Sequence, residues 1–308
     1  MGNKNIWNIS TQQIQIFLKA VEYKNFTEVA NYFNFTPSMV SKTISAMEAE
    51  LGLILFIRKP HNLTTTPVAE FLAREWKQTI ASITNSIERA HALEKGESKK
   101  IVFGFVDSSD RVDNLISNTI RQYTNSHSNI DIYIEKHDMH RASELLNNGL
   151  LDVIVTSEMD VPYLNEHPHI SWERLVDTEV VVYVPSSNPL FSKETVTFDD
   201  LHFQNFIALN PTMHPNYHDW LMKTCKEHGF QPNIVTTYRT VRSLMFSLTL
   251  YDYVFIGDSI TADWCDEDLK MFKLNESSFS LIAWRKEYED DSLLDFKDYI
   301  KSTYPERF

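Results

Sequence analysis

Between Thr36 and Thr65 the chain strings together a helix start, an amphipathic helix and a basic hairpin, and few folds accommodate that succession. Thr36 is placed to cap a helix through its hydroxyl, and Pro37 suits the first turn, where a missing N–H costs nothing. Val40, Ile44, Met47 and Leu51 then form one apolar stripe, and Gly52 ends the helix. At about 100° per residue the opposite face carries Ser38, Met39, Lys42, Ser45, Ala46 and Ala49. It is slim, holds one cation and no carboxylate, and leaves Glu48 and Glu50 on its flanks. A helix entering a major groove about 12 Å wide needs such side chains. An ordinary surface helix with a short polar face would also fit this wheel.

The hairpin narrows the choice. LFIRKPHNLTTTP runs as a strand through Leu55 and Ile57, turns at Pro60–Asn62 and returns through Leu63 and Thr64. Arg58, Lys59, His61 and Asn62 at its tip are suited to hold phosphates beside the groove. Two shorter helical patterns precede it, with Ile14, Phe17, Leu18 and Val21 on one face and Phe26, Val29, Ala30 and Phe33 on the next. This order predicts a helix-rich N-terminal winged helix-turn-helix over residues 1–65.

A net charge of −13 over 308 residues sits badly with DNA binding until it is divided. Residues 1–66 hold Lys4, Lys19, Lys24, Lys42, Arg58 and Lys59 against Glu22, Glu28, Glu48 and Glu50, a net of +2, and −15 falls on the remainder. So weak a positive field predicts binding through a few placed contacts. No apolar run approaches the ~18 residues of a membrane helix, and Met1–Ser10 lacks the basic-then-apolar order of a secretory signal. Cys225 and Cys265 alone make no disulfide framework and suit a reducing compartment. The expectation is a cytoplasmic protein without a membrane partner.

From about Gln13 to Glu70 the sequence resembles the LysR-type transcriptional regulators. The likeness rests on Phe17, NFTEVA (Asn25–Ala30), FTPSMVSKTI (Phe35–Ile44), Met47–Glu48, ELG (Glu50–Gly52), Leu55–Phe56, Arg58 and TTP (Thr65–Pro67). Two departures are small: Ala69 stands where glycine is frequent, and Val29–Ala30 where the family often has paired alanines. The resemblance implies that the third helix and the hairpin read double-stranded DNA. By position it singles out Thr36, Ser38, Met39, Ser41, Lys42, Arg58 and Lys59, with Thr27 meeting a phosphate at the start of the second helix.

A linker helix is expected over residues 66–95, capped by Thr66 with Pro67 in its first turn. Leu72, Trp76, Ile80, Ile83 and Ile87 repeat at a near-3.5 period, as in a coiled-coil seam. A helix packed on its own domain would show the same spacing. The resemblance implies the seam, hence a homodimer offering two recognition helices about 34 Å apart to a pseudo-palindromic operator. It also implies a homotetramer, and RNA polymerase is a further candidate partner.

Residues 96–308 alternate strand and helix patterns, predicting α/β architecture with mostly parallel sheets. Strands are expected at Ile101–Val106, Ile130–Glu135, Asp152–Thr156, Val180–Val184, Phe206–Leu209, Ile234–Tyr238, Tyr253–Ile256 and Phe279–Trp284. This part resembles the effector-binding domain of the same regulators, similar to type 2 periplasmic binding proteins, with two lobes that the chain crosses between twice. Tyr251–Asp252–Tyr253 replace the family's usual glycine-rich turn.

Ligands of open α/β sheets sit at the carboxyl ends of strands. That rule nominates Ser108, Ser109 and Thr156 from one lobe and Asn210, Thr212, Arg239, Thr240 and Asp258 from the other for a small-molecule effector. Arg239 offers a carboxylate-binding fork, although any of the Ser, Thr and Asp residues could merely cap its helix. Two other functions compete on this half alone, a solute-binding protein and an enzyme. The chain has no Gly-rich phosphate loop, GxSxG or HExxH. The pairs His137/His140, His167/His169 and His214/His218 lack further ligands and read as surface residues, so no metal or cofactor is expected.

Overall fold

Side chains cap each of the first three helices, which is why short, glycine-poor segments hold their shape. The computed structural model describes residues 8–59, 62–95, 99–106 and 110–303. Helix α1 (Thr11–Tyr23) opens with a capping box: the Gln13 N–H donates to the Ser10 hydroxyl, and the Ser10 N–H donates to the Gln13 side chain. At α2 (Phe26–Phe33) the Asn25 side chain accepts from the Thr27 and Glu28 N–H groups. At α3 (Pro37–Leu51) the Thr36 hydroxyl accepts from the Met39 N–H, as its position predicts. Gly52 closes α3 at φ 69°, a left-handed geometry that glycine adopts at little cost.

Strands β1 (Phe56–Lys59) and β2 (Asn62–Thr65) form the expected hairpin, pairing Arg58 with Leu63 and Lys59 with Asn62. Pro60 and His61 lie outside the described residues, and Asn62, expected in the turn, already belongs to β2. Two side chains lock the hairpin to the helices. Glu48 of α3 accepts from the N–H groups of Leu55 and Phe56, at 2.8 and 3.1 Å. Thr66 donates to the Ile54 and Leu55 carbonyls and accepts from the Ala69 N–H, starting α4 (Pro67–Lys95). Ile16, Phe17, Val40, Ile44, Met47 and Leu55 centre the core of this unit, Met1–His91.

The second unit, Ala92–Phe308, is built on two long strands. In order come β3 (Lys99–Val106), α5 (Asp110–Ser126), β4 (Ile130–His137), α6 (Met139–Asn147), β5 (Val153–Ser157), α7 (Val161–Asn165) and β6 (Ile170–Pro185). There follow α8 (Phe198–Leu201), β7 (Asn205–Leu209), α9 (Pro215–Glu227), β8 (Asn233–Tyr238), α10 (Val241–Leu248), β9 (Phe255–Asp258), β10 (Leu269–Arg285) and α11 (Asp291–Thr303). The main sheet runs β4-β3-β5-β10-β6-β9, and β7 and β8 pair separately, with Phe206 of β7 bridging to Val254. Among the described residues β3/β4, β3/β5 and β7/β8 pair in parallel; β10 runs antiparallel to β5 and β6, as β9 does to β6. The sheet is therefore mixed, not mostly parallel, because β10 enters from the opposite end.

Strands β6 and β10 extend through two cores. Val180–Val184 and Leu269 belong to one, with β7, α9 and α10; Val176, Ile282 and Trp284 belong to the other, with β3, α5 and α11. The chain thus crosses twice between two lobes and returns to the first, where Tyr123 donates to Asp295. The register of β6 against β10 shifts between Lys273 and Ser277, where Asn275 is left-handed at φ 60°.

Replacing Glu48 by Ala leaves the Leu55 and Phe56 N–H groups without their acceptor. The expected cost is about 1–3 kcal/mol, read by urea denaturation, with faster hydrogen exchange at those two amides. Unchanged protection there would show that Glu48 does not hold the hairpin.

Candidate DNA-binding face and ligand cleft

In the first unit, Ser38, Met39 and Lys42 lie exposed on the outer side of α3, Met39 at 46%, while Val40, Ile44 and Met47 are fully buried beneath. Thr36 is exposed at the helix start, and Ser41 is half-buried. Among the described residues Lys42 has no ion-pair partner. Thr27 is exposed in the first turn of α2. The backbones of Arg58 and Lys59 lie in β1, but their side chains fall outside the described ones. Asn25 and Glu48 also shape this face; the capping pattern Asn25–Glu28 was readable, whereas Glu48's reach to the hairpin was not.

The five seam residues of α4 divide. Leu72 and Trp76 pack against the first unit's own core, Trp76 edge-on to Phe17 at 5.3 Å. Ile80 is half-buried, while Ile83 and Ile87 are 41% and 54% exposed. The apolar period therefore serves two purposes along one helix.

In the second unit two adjoining cavities open at the carboxyl ends of β3, β4, β5, β7, β8 and β9. The inner one, about 90 Å³, is lined by apolar residues such as Phe105, Val112, Ile116, Met159 and Phe255, together with Thr156 and Asp258. The outer one, about 290 Å³, is lined by Lys136, His137, Asp138, Met213, His214, Arg239 and Thr240. Val106, Met139, Leu209 and Val241 line both. Asn210 and Thr212 line neither; the Asn210 side chain accepts from the Thr212 N–H and shapes the turn. Ser108 and Ser109 lie outside the described residues. Tyr251 and Tyr253 stack at 5.1 Å away from both cavities, and Ser187 donates to the Tyr251 carbonyl. This departure from the family pattern reshapes the surface, not the cleft.

Most polar groups of the cleft are already committed. The Thr156 hydroxyl donates to Asp160 at 2.7 Å, as do Ser143 of α6 and Asn216 of α9, each at 2.7 Å. Asp160, fully buried, thereby ties the two lobes together. Asp258 accepts from Thr178 of β6, Ser278 of β10 and the Ile260 N–H, pinning the crossing strands. Burial pushes both carboxyls above the usual carboxylate range, against the pull of these donors. His214 corrects the surface reading of the histidine pairs: it is only 4% exposed, with Nε2 2.8 Å from the Arg239 carbonyl.

A winged helix-turn-helix carried on one chain with a two-lobed α/β unit that holds a cleft defines a DNA-binding regulator that answers to a ligand. Residues 11–70 match the family described as bacterial regulatory helix-turn-helix protein, lysR family, and residues 94–303 match the LysR substrate binding domain. The chain belongs to the LysR family of HTH-type transcriptional regulators. It is 26% identical over 237 residues to the HTH-type transcriptional regulator AlsR of Bacillus subtilis, covering 76% of each protein. Its fold is similar to the crystal structure of CbnR, a LysR family transcriptional regulator, with a TM-score of 0.65 at 16% identity over 96% of this chain and 100% of that one. Full-length CbnR in complex with its target DNA matches with a TM-score of 0.64 at 14% identity, over 96% and 100%. The family replaces the solute-binding and enzyme readings. No helix among the described residues is long and apolar enough to cross a membrane.

A carboxyl raised in the folded state favours folding most below its unfolded pKa, near pH 4, and that contribution is lost as pH rises through the folded value. Asp258→Asn should therefore flatten the fall in thermal midpoint between about pH 4 and pH 7. Parallel wild-type and variant profiles would show the Asp258 carboxyl to be unshifted.

Proposed function

We propose that the regulator lays α3 in the major groove of double-stranded DNA, with the β1–β2 hairpin on the flanking phosphates. The observation that carries this is the outer face of α3: slim, exposed, bearing Lys42 and no carboxylate, over a fully buried apolar stripe. Thr36, Ser38, Met39 and Ser41 are its base-reading candidates; Thr27, Lys42, Arg58 and Lys59 are its phosphate contacts. The CbnR complex with target DNA supports this reading. Residues 1–65, 66–95 and 96–308 act as DNA-binding, linker and effector-binding parts. The exposed Ile83 and Ile87 form a homodimer seam, matching a pseudo-palindromic operator, and dimers pair into a homotetramer. A small effector enters the interlobe cleft, with Thr156 and Asp258 in its inner part and Arg239 and Thr240 at its mouth; the sequence adds Ser108, Ser109, Asn210 and Thr212 as effector candidates. The protein works in the cytoplasm, with RNA polymerase as a further partner.

In a gel-shift titration over a salt series, on DNA flanking its own coding region, Lys42→Ala should weaken binding by at least ~1 kcal/mol and lower the salt slope by about 0.9. An unchanged titration would remove Lys42 from the interface. Ile83→Asp and Ile87→Asp should halve the mass seen by light scattering while the fold survives. Trp76→Asp should instead cost the first unit about 3–5 kcal/mol, because Trp76 packs in its core. A parental mass for both isoleucine variants would defeat the seam.

A further inference from the structure

We infer that the cleft is built for a small organic acid carrying an O–H donor beside its carboxylate and a short apolar tail. This rests on the interlobe cleft being the effector site. The argument is an inventory of groups left open. In the inner cavity, the Thr156 hydroxyl is given to Asp160, the Asp258 carboxylate accepts three donors, and the Tyr217 hydroxyl donates to the Ile256 carbonyl. Ser157 accepts from the Met159 N–H, and among the described residues Ser280 is the remaining polar group of an otherwise largely apolar lining. Its volume of about 90 Å³ is of the order of the ~150 Å³ apolar cavities that take up benzene. A short aliphatic body fits.

At the mouth Lys136 bonds to Asp113, His137 to Glu135, and Thr240 to Ser243. Two groups remain. The exposed Arg239 guanidinium has no carboxylate partner among the described residues; its Nε meets only the Met213 thioether, at 3.2 Å. The second is Nδ1 of His214, buried and without a hydrogen-bond partner. A carbonyl can only accept, so the His214 Nε2 facing the Arg239 carbonyl carries the hydrogen. With that hydrogen on Nε2, Nδ1 is left to accept. A buried acceptor left unmet is costly, and a ligand donor meets it. Met213, unbranched and flexible, lines the same cavity and can give way to admit that donor. The guanidinium wants an anion and the imidazole wants a donor, and one backbone residue holds the two together. A 2-hydroxy acid presents both groups side by side.

The test is isothermal titration of the full chain with 2-hydroxyhexanoate, hexanoate and 1-hexanol. The wild type should bind the hydroxy acid about tenfold more tightly than hexanoate, the scale of one hydrogen bond to a buried acceptor. His214→Gln keeps a donor for the Arg239 carbonyl but removes the Nδ1 acceptor, so it should erase that preference and leave hexanoate unchanged. Arg239→Met should weaken both acids. Equal wild-type affinities, or a preference that survives His214→Gln, would overturn the assignment. If neither acid binds, the ligand class is wrong. Val241→Phe, which narrows both cavities, separates this from the broader reading. Binding of any probe that Val241→Phe blocks keeps the cleft as a ligand site even where the hydroxy-acid assignment has failed. Binding indifferent to Val241→Phe sinks the cleft reading as well.

Discussion

The antiparallel pairing of β6 with β10 is the constraint on which the second unit depends. Each strand is long enough to enter both cores, so each lobe borrows strands that also belong to the other. Between the lobes the sequence of those strands turns polar: Thr178, Glu179, Ser277, Ser278. Buried polar groups are tolerated only when paired. Asp258 supplies that pairing by collecting Thr178 and Ser278 on one oxygen. Asp160 does the same work nearby with one partner from α6 and another from α9. The two carboxyls belong to the frame of the cleft as much as to its chemistry, and this explains why so few groups within it stay open.

In the first unit a comparable economy governs the hairpin. The two-stranded ribbon is too small to be stable alone, so it is tied to α3 through Glu48 and to α4 through Thr66. An acidic residue on the flank of a helix meant for DNA would be a liability if its charge pointed outward. Here it faces the hairpin backbone and is spent on two N–H groups. A net of +2 therefore suffices, because Lys42 faces outward with no carboxylate to oppose it on its own face.

How much of this was legible in the sequence depended on whether a signal was local. Caps at Thr36 and Gly52, the stripe Val40–Ile44–Met47 and the basic hairpin are written in neighbouring residues, and they place α3 and its outer face. The short parallel strands were legible as apolar runs. Long strands were seen only at their apolar ends, Val180–Val184 and Phe279–Trp284; their polar stretches have no hydrophobic period to read, because they pass between cores. The seam of α4 shows the limit of periodicity. Spacing says that Trp76 and Ile83 share a stripe, but not that Trp76 is used up on Phe17 within its own unit. The burial of His214 was invisible for a similar reason. It depends on the Arg239 carbonyl, which arrives from the turn after β8.

A ligand can bias a regulator only by binding one arrangement of the lobes better than another. The inner cavity takes Phe105, Val112 and Ile116 from the first lobe and Phe255 from the second, whereas Arg239 and His214 both stand on the second. A polar head alone would thus hold to one lobe and leave their balance where it was. The apolar body must reach across to earn a differential affinity. Asp160 sets the scale to be met: a ligand that favours the joined lobes adds to the Asn216 bond, and one too large for the inner cavity works against it. Recognition is therefore divided, with the head fixing which molecule enters and the tail fixing what its entry does.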